Sequence, residues 1–376
     1  MTRQPITDNR QLFSRRTRWN PTPNRLSLLL HELRQRNAPT IDLTESNPTR
    51  AGIDYPLEEL SAAMARAARA AYDPHPLGLR SARETLAAEL RCDADDVVIT
   101  ASTSEAYSFL FKLHCDPGDN VLTPTPSYPL LEHLAAMEMV ELRHFPLEFH
   151  RRWEIVPSNI PIDQRTRAIV VVNPNNPTGS FLTADEQRAI AATGLPVISD
   201  EVFLDYPLEG RGSTFAGAFA LGGLSKSAGL PHYKLGWIRV PDRGALAPLE
   251  LIADNFLSVA TPVQVALPEI LALAPRIREA IAARTRTNLD AARRIVGGAA
   301  QLLPVEGGWS AVIRMPRTMS DEEFALDALE RHDVVIHPGY FFDFEREGYF
   351  VVSLLTACGD FAEGLSRVLQ GMRDEG

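Results

Sequence analysis

Four polar segments of this 376-residue chain each follow a short apolar run, and their side chains are of kinds that bind or react with ligands. In chain order they are the hydroxyl residues Ser102, Thr103 and Ser104, the amide Asn176, the carboxylate Asp200 and the primary amine Lys226. Hydroxyl residues at a helix start can bind an anion, because the free backbone N–H groups there point outward. The amide can donate to a ligand oxygen, the carboxylate can pair with a cation, and the amine can form a Schiff base.

Lysine is rare in this chain, which has only Lys112, Lys226 and Lys234. Chemistry that requires a primary amine therefore has three candidates. A single lysine most often lies on the protein surface, but Lys226 is set among small residues in the sequence GGLSKS.

Each segment also has a purely structural interpretation. Ser102 or Ser104 could cap a helix, and the prolines and glycine of residues 173–179, NPNNPTG, are typical of turns. Turn formation does not require so many asparagines, however. Asp200 ends an apolar run and needs a cationic partner, since an unpaired buried charge is costly. Taken together, the four segments match one ligand that has a phosphate, a ring oxygen, a basic ring nitrogen and an aldehyde.

The elements that would position these segments alternate between strand and helix. Apolar, β-branched runs occur at residues 97–100, 121–123, 169–172, 197–199 and 235–240, and helical patterns begin near residues 104, 130 and 183. This alternation is typical of an α/β fold with a mostly parallel sheet, whose ligands bind beyond the carboxyl ends of the strands. Residues 266–300 then predict a helical stretch interrupted by Pro268 and Pro275.

Composition excludes several classes of protein. A formal charge of −10 argues against a nucleic-acid binder. The N-terminus has no apolar signal segment and no run is long enough to span a membrane, so we expect a cytoplasmic protein with no membrane partner. Cys92, Cys115 and Cys358 are too far apart to predict a metal cluster, and three is an odd number for a disulfide framework.

The four segments together resemble those of the fold-type I pyridoxal-phosphate enzymes, specifically the class I/II aminotransferases, over nearly the whole chain. The resemblance implies a pyridoxal 5'-phosphate cofactor and the corresponding α/β transferase fold. It also implies a large cofactor-binding domain at residues 46–285 and a small α+β domain formed by residues 1–45, with an N-terminal arm, and 286–376. Lys226 then matches the Schiff-base lysine and proton carrier, Asp200 the partner of the pyridine nitrogen, and Asn176 the donor to the ring oxygen.

The resemblance extends to the other cofactor contacts. Ser102, Thr103 and Ser104 match the phosphate-binding loop, and Ser225 and Lys234 are expected to support the same phosphate. Tyr128 matches the aromatic residue that stacks on the cofactor ring, although packing in the core is the alternative. Tyr72 matches a tyrosine that reaches the neighbouring subunit's phosphate, which implies a homodimer.

Three positions depart from the family pattern. Phe203 replaces a tyrosine that contacts the ring oxygen, which implies a raised pKa for the lysine–cofactor Schiff base. Lys234 replaces an arginine and offers a point charge in place of a bidentate fork. Val351 replaces the arginine that binds the substrate carboxylate. Either another arginine has taken over, with Arg18, Arg25, Arg314 and Arg346 as unranked candidates, or the substrate lacks the usual α-carboxylate interaction.

The function that this resemblance implies is transfer of an amino group between an amino acid and a 2-oxo acid. The same lysine, aspartate and asparagine could also serve a lyase of the carbon–sulfur or decarboxylase type. A third possibility is a cofactor-binding sensor with little turnover, and steady-state turnover with an amino donor distinguishes it from an enzyme.

Overall fold

The computed structural model describes residues 13–17, 19–20, 22–298 and 300–374. Its strands, in chain order, are β1 Ile41–Asp42, β2 Val97–Thr100, β3 Asn120–Thr125, β4 Glu141–Phe149, β5 Trp153–Ile155, β6 Thr166–Val172, β7 Val197–Asp200, β8 Phe219–Gly223, β9 Gly236–Arg239, β10 Gln301–Leu302, β11 Ser310–Arg314, β12 Val334–Val335, β13 His337–Pro338 and β14 Tyr349–Ser353. Its helices are α1 Arg25–Gln35, α2 Leu57–Ala67, α3 Arg80–Leu90, α4 Thr103–His114, α5 Leu130–Met137, α6 Ala184–Ala191, α7 Leu224–Ser227, α8 Leu246–Asp254, α9 Thr261–Val265, α10 Leu267–Ile295, α11 Asp321–His332 and α12 Cys358–Asp374.

An eight-stranded sheet forms the centre of the large part of the fold, in the order β2-β9-β8-β7-β6-β3-β4-β5. Strands β8, β7, β6, β3 and β4 pair in parallel, whereas β9 is antiparallel to both of its neighbours and β5 is antiparallel to β4. The predicted α/β fold with a mostly parallel sheet is therefore confirmed. Strand β9 departs from the predicted alternation because the connection from β8 contains the four-residue helix α7 and a short 3-10 turn, not a full crossover helix.

Side-chain caps fix the starts of the helices that leave this sheet. The hydroxyl of Ser102 accepts a hydrogen bond from the backbone N–H of Glu105 and caps α4. Thr183 and Glu186 form a capping box at the start of α6. Each cap satisfies N–H groups that would otherwise lack a partner in the first turn. The helix starts expected near residues 104 and 183 are therefore confirmed.

Helix α10 runs through both prolines that were expected to interrupt it. Pro268 lies in the first turn, where the proline nitrogen has no hydrogen bond to lose. Pro275 lies inside the helix, flanked by the buried residues Ala274 and Ile277. The free energy gained by burying the helix face that carries Ala274 and Ile277 outweighs the loss of the one backbone hydrogen bond that Pro275 cannot donate.

A four-stranded sheet in the order β10-β11-β14-β13 lies in the C-terminal part of the chain. Val351 on β14 pairs with Val312 on one side and with His337 on the other, and Ser353 pairs with Ser310. Residues two apart on a strand share a face, so the two serines lie on the same face as Val351. An apolar core that includes Leu26, Leu43 and residues between 289 and 369 packs in this part of the fold. The division into domains at residues 46–285 and at 1–45 with 286–376 stays a prediction.

Among the described residues, no helix is both long enough and apolar enough to cross a membrane. Nor do the described histidines, cysteines and carboxylates form a cluster that could hold a metal ion. Cys92, Cys115 and Cys358 are free thiols.

Candidate active site

The sheet brings the predicted polar segments to one edge. Val172 at the end of β6 pairs with Asp200 at the end of β7, and Asp200 pairs with Leu221 on β8. The backbone N–H of Asn173 donates to the carbonyl of Asp200 over 2.8 Å, which links the loop after β6 to β7. Lys226 follows β8 directly, in the single turn of α7. The amide-rich loop, the carboxylate and the amine therefore leave three adjacent parallel strands at their carboxyl ends.

Lys226 is held by its backbone while its amine points into an aromatic environment. The hydroxyl of Tyr206 donates to the carbonyl of Lys226 over 2.6 Å. The Nζ atom lies 4.9 Å from the ring centroid of Trp309 and 5.5 Å from that of Phe203. Burial lowers the pKa of Lys226 to about 8, and the charge of Asp200 acts in the opposite direction. A lysine in this environment is partly neutral near physiological pH, as a nucleophile must be.

Asp200 is a buried carboxylate with two protein donors. The hydroxyl of Tyr107 donates to Oδ2 over 2.9 Å, and the backbone N–H of Val202 donates to Oδ1 over 3.1 Å. Burial raises the pKa of Asp200 to about 6, although both hydrogen bonds and the charge of Lys226 favour the ionised form. A cation placed against this carboxylate would lower its pKa again. The structure therefore supplies a buried acid whose ionised form needs a positive partner.

Replacement of Tyr107 by phenylalanine tests this environment. Loss of a hydrogen bond to a charged acceptor should raise the pKa of Asp200 by roughly one unit. The acidic limb of the pH–rate profile should then move to higher pH by the same amount. Tyr55→Phe is the matched control, because the Tyr55 hydroxyl donates to the carbonyl of Gly229 and not to a carboxylate. A profile for Tyr107→Phe that coincides with that of Tyr55→Phe would show that this hydrogen bond does not tune Asp200.

The three asparagines after β6 have different partners. The side chain of Asn173 donates to the carbonyl of Ser213 and accepts from the N–H of Leu182. The amide nitrogen of Asn175 donates to the carbonyl of Pro126 and to the hydroxyl of Thr178. Asn176 differs, because its oxygen accepts from the Ser310 hydroxyl over 3.3 Å and no described residue accepts from its nitrogen. Asn176 is therefore the asparagine whose N–H groups are available to a ligand.

The predicted phosphate site contains half-buried hydroxyl residues, and the carboxylate of Glu105 in the same helix turn accepts from the backbone N–H of Ala101. Ser102, Thr103 and Ser104 lie at the start of the twelve-residue helix α4, and Ser225 is half-buried one residue before Lys226. Ser102 is the helix cap, so the structural interpretation of that residue is correct; a cap can still present the backbone N–H groups beside it to an anion. Lys234 is exposed and follows a short 3-10 turn.

The two predicted tyrosines occupy different settings. Tyr128 is 40% exposed, and its partial burial, with a smaller effect from the charge of Asp200, raises the pKa of its phenol above the ordinary value. Tyr72 is 74% exposed on the loop before α3. Its side chain is thus available at the surface. Its predicted contact with a second subunit stays a prediction.

Trp309, which follows Gly307 and Gly308 in the sequence, is a further residue beside Lys226. Its ring packs edge-on against Phe203 and Tyr206, with centroids 5.2 and 5.0 Å apart, and it lies against Lys226. The signal in the sequence was the tryptophan after two glycines, since a bulky aromatic residue is unusual in a turn. Its position beside the lysine requires the tertiary structure.

Val351 offers no charge to a substrate. It is 1% exposed within an apolar core. The guanidinium of Arg25 lies 3.6 Å from Glu322, and that of Arg314 contacts Gln301. Arg346 is exposed, and Arg18 lies outside the described residues. None of the three described arginines contacts Lys226 or Asp200, so each of the two alternatives stays a prediction.

The chain matches a known protein family over most of its length. Residues 38–360 match the family model described as aminotransferase class I and II. The chain belongs to this family. Tyrosine aminotransferase of Mus musculus is 25% identical over 96% of the chain and 91% of its own length. Valine--pyruvate aminotransferase of Mycobacterium tuberculosis is 28% identical over 87% of the chain and 90% of its own length.

Other relatives of this class I and II member match only in part. Nicotianamine aminotransferase 1 of Oryza sativa subsp. japonica is 34% identical over 53% of the chain and 45% of its own length. The match thus spans about half the length of that relative. An alanine aminotransferase structure from Pyrococcus furiosus superposes with a TM-score of 0.83 at 24% identity, over 93% of the chain and 96% of its own, and shows the same fold.

Class I and II aminotransferases use pyridoxal 5'-phosphate, and the site residues of this member fit that group. The amine of Lys226 suits its aldehyde, the buried acid Asp200 suits its basic ring nitrogen, and the free amide N–H groups of Asn176 suit its ring oxygen. Small hydroxyl residues at the start of α4 suit its phosphate. The predicted family and cofactor are confirmed, whereas the role of each residue stays a prediction.

Proposed function

We propose that this protein is an aminotransferase that moves an amino group between an amino acid and a 2-oxo acid. The observation that carries the proposal is that the half-buried Lys226, directly after β8, and the buried carboxylate Asp200, at the end of the adjacent β7, meet at the carboxyl edge of a parallel sheet. The tyrosine and valine–pyruvate aminotransferases that match most of the chain support it.

The settings of the residues support the following roles. When bound, the cofactor withdraws electrons from the Cα of the amino acid whose amino group is attached to it, and so makes the Cα proton acidic. Asp200 keeps the ring nitrogen protonated, because an opposite charge in a buried site raises the pKa of that nitrogen. Lys226 takes the Cα proton as a base and returns it as an acid, which its pKa of about 8 permits near neutral pH. Asn176 donates to the ring oxygen, and the start of α4 with Ser225 and Lys234 binds the phosphate.

Product analysis tests the proposal against its alternatives. The purified protein is incubated with pyridoxal 5'-phosphate, a panel of amino acids and pyruvate or 2-oxoglutarate. We expect one amino acid to be converted to its 2-oxo acid while the acceptor is aminated in equal amount. Release of sulfide or carbon dioxide would identify a lyase, and a change in the spectrum without steady-state turnover would identify a sensor.

Substrate binding should depend little on the α-carboxylate if no other arginine of the chain takes the role of the family's arginine, whose position Val351 occupies. A bidentate arginine contact with a carboxylate stabilises a complex by about 1.5–3 kcal/mol, or roughly 10- to 100-fold in affinity. We therefore expect a reactive amino acid and its decarboxylated amine to bind within about tenfold of each other, as measured by titration of the cofactor absorbance. A relative that keeps the arginine is the control. A preference for the amino acid of 100-fold or more would show that another cation binds the carboxylate.

We also propose that the chain acts as a cytoplasmic homodimer. Tyr72 is exposed on the surface, and the family resemblance assigns it to the phosphate of the neighbouring subunit. In sedimentation experiments the protein should be dimeric. Tyr72→Phe should weaken binding of the cofactor without changing the oligomeric state.

A further inference from the structure

The amine of Lys226 lies beside two aromatic rings that pack against each other, and the roles taken from the family give neither ring a function toward that amine. Its Nζ atom is 4.9 Å from the centroid of Trp309 and 5.5 Å from that of Phe203. The two rings meet edge to face at 5.2 Å, and the side chains of Trp309 and Phe203 are 3% and 9% exposed. We call Phe203 and Trp309 the aromatic bracket.

We propose that the aromatic bracket is a pair of positioning residues that stabilises the protonated form of the free Lys226 amine by cation–π attraction. The inference rests on the proposed function, in which this amine is released from the cofactor and must hold a proton before it returns it. An ammonium group within about 6 Å of a ring centroid is attracted by the negative face of the ring. The attraction is larger where water is excluded, as it is around these buried rings.

The rigidity of the bracket supports a role in positioning. Trp309 packs against Tyr206 as well as Phe203, and its carbonyl accepts from the N–H of Leu354 over 2.7 Å. The hydroxyl of the same Tyr206 donates to the carbonyl of Lys226. The lysine backbone and the ring above its amine are thus fixed by one shared residue.

The other charged and titratable groups near the amine do not replace the bracket. Asp200 on β7 is the one charge that acts on Lys226 directly among the described residues. After the larger effect of burial, the charge of Asp200 raises the pKa of Tyr107 and of Tyr128, and the charge of Glu201 in turn raises the pKa of Asp200. None of these three residues acts on the pKa of Lys226. With the cofactor bound, Asp200 would pair with the ring nitrogen, and the bracket would still attract the ammonium. Phe203 lacks the hydroxyl of the tyrosine that the family has at this position, but it retains the aromatic ring that the proposed attraction requires.

Titration of Lys226 in the full chain loaded with pyridoxamine 5'-phosphate tests the proposal, because the amine is free in that form. Lysine labelled with 13C and 15N gives three side-chain signals, since the chain has three lysines. Lys112→Arg and Lys234→Arg assign them. We expect Trp309→Leu to lower the pKa of Lys226 by about half a unit to one unit. The matched variant Trp309→Phe retains a ring and should lower it less.

The sign of the shift separates the proposal from simple packing. If the rings only exclude water, leucine at residue 309 relaxes the burial and the pKa of Lys226 rises toward its ordinary value. An increase, or no change, in both Trp309→Leu and Phe203→Leu would overturn the proposal, and the second variant decides the matter if the first does not fold. Failure to bind pyridoxamine 5'-phosphate would instead count against the proposed function. The same titration in the cofactor-free chain would then still decide the role of the bracket.

Discussion

Lys226→Ala is expected to abolish the visible absorbance of the cofactor-loaded protein and to reduce turnover by about 10⁴-fold or more. The variant loses both the amine that bonds to the cofactor and the base that moves the Cα proton, and general acid–base catalysis alone contributes about 10²–10⁴-fold. The measurements are an absorbance spectrum after addition of pyridoxal 5'-phosphate and the rate of 2-oxo acid formation.

Lys112→Ala is the matched control for Lys226→Ala. The amine of Lys112 contacts Glu138 and the hydroxyl of Ser108 on the outside of α4. We expect this control to retain the visible band and full turnover. If Lys226→Ala also keeps the band, another amine bonds to the cofactor and the assignment of Lys226 is wrong.

Asp200→Asn should reduce turnover by about 10²–10³-fold while the cofactor remains bound. The amide fills the same space but cannot hold the ring nitrogen in its charged form, and removal of one electrostatic group from a buried site typically costs this much in rate. The loss should be in kcat, with the visible band retained. A loss of the bound cofactor with unchanged kcat in the fraction that stays loaded would contradict this role.

Stability measurements should show that Asp200→Asn does not act by unfolding the protein. Burial raises the pKa of Asp200 from an ordinary value of 3.8 to about 6, so the folded state holds this proton more tightly than the unfolded state does. The contribution of Asp200 to stability therefore declines as the pH rises from about 4 to about 6. Above that window the ionised carboxyl is a cost that asparagine does not have. We expect the cofactor-free variant to unfold at or above the wild-type temperature at pH 7.5.

The family and the cofactor could be predicted from the sequence because their signals are local. The hydroxyl run, Asn176, Asp200 and Lys226 each follow an apolar strand directly, and a parallel sheet brings the carboxyl ends of its strands to one edge whatever the rest of the chain does. The buried apolar strands β6 and β7 were recognised for the same reason. Strand β4, Glu141–Phe149, was not recognised, because only two of its nine residues are buried and its polar residues conceal its period.

Hydrogen bonds between residues that are distant in the chain depend on the tertiary structure alone. Asn173, Asn175 and Asn176 have the same side chain, and only the carbonyls of Ser213 and Pro126 and the hydroxyl of Ser310 show which amide is left for a ligand. Tyr107 lies 93 residues before Asp200, yet its phenol contacts that carboxylate. Local sequence determines the type of each strand-end residue, whereas pKa values and free hydrogen-bonding groups depend on burial and on contacts that only the packed chain creates.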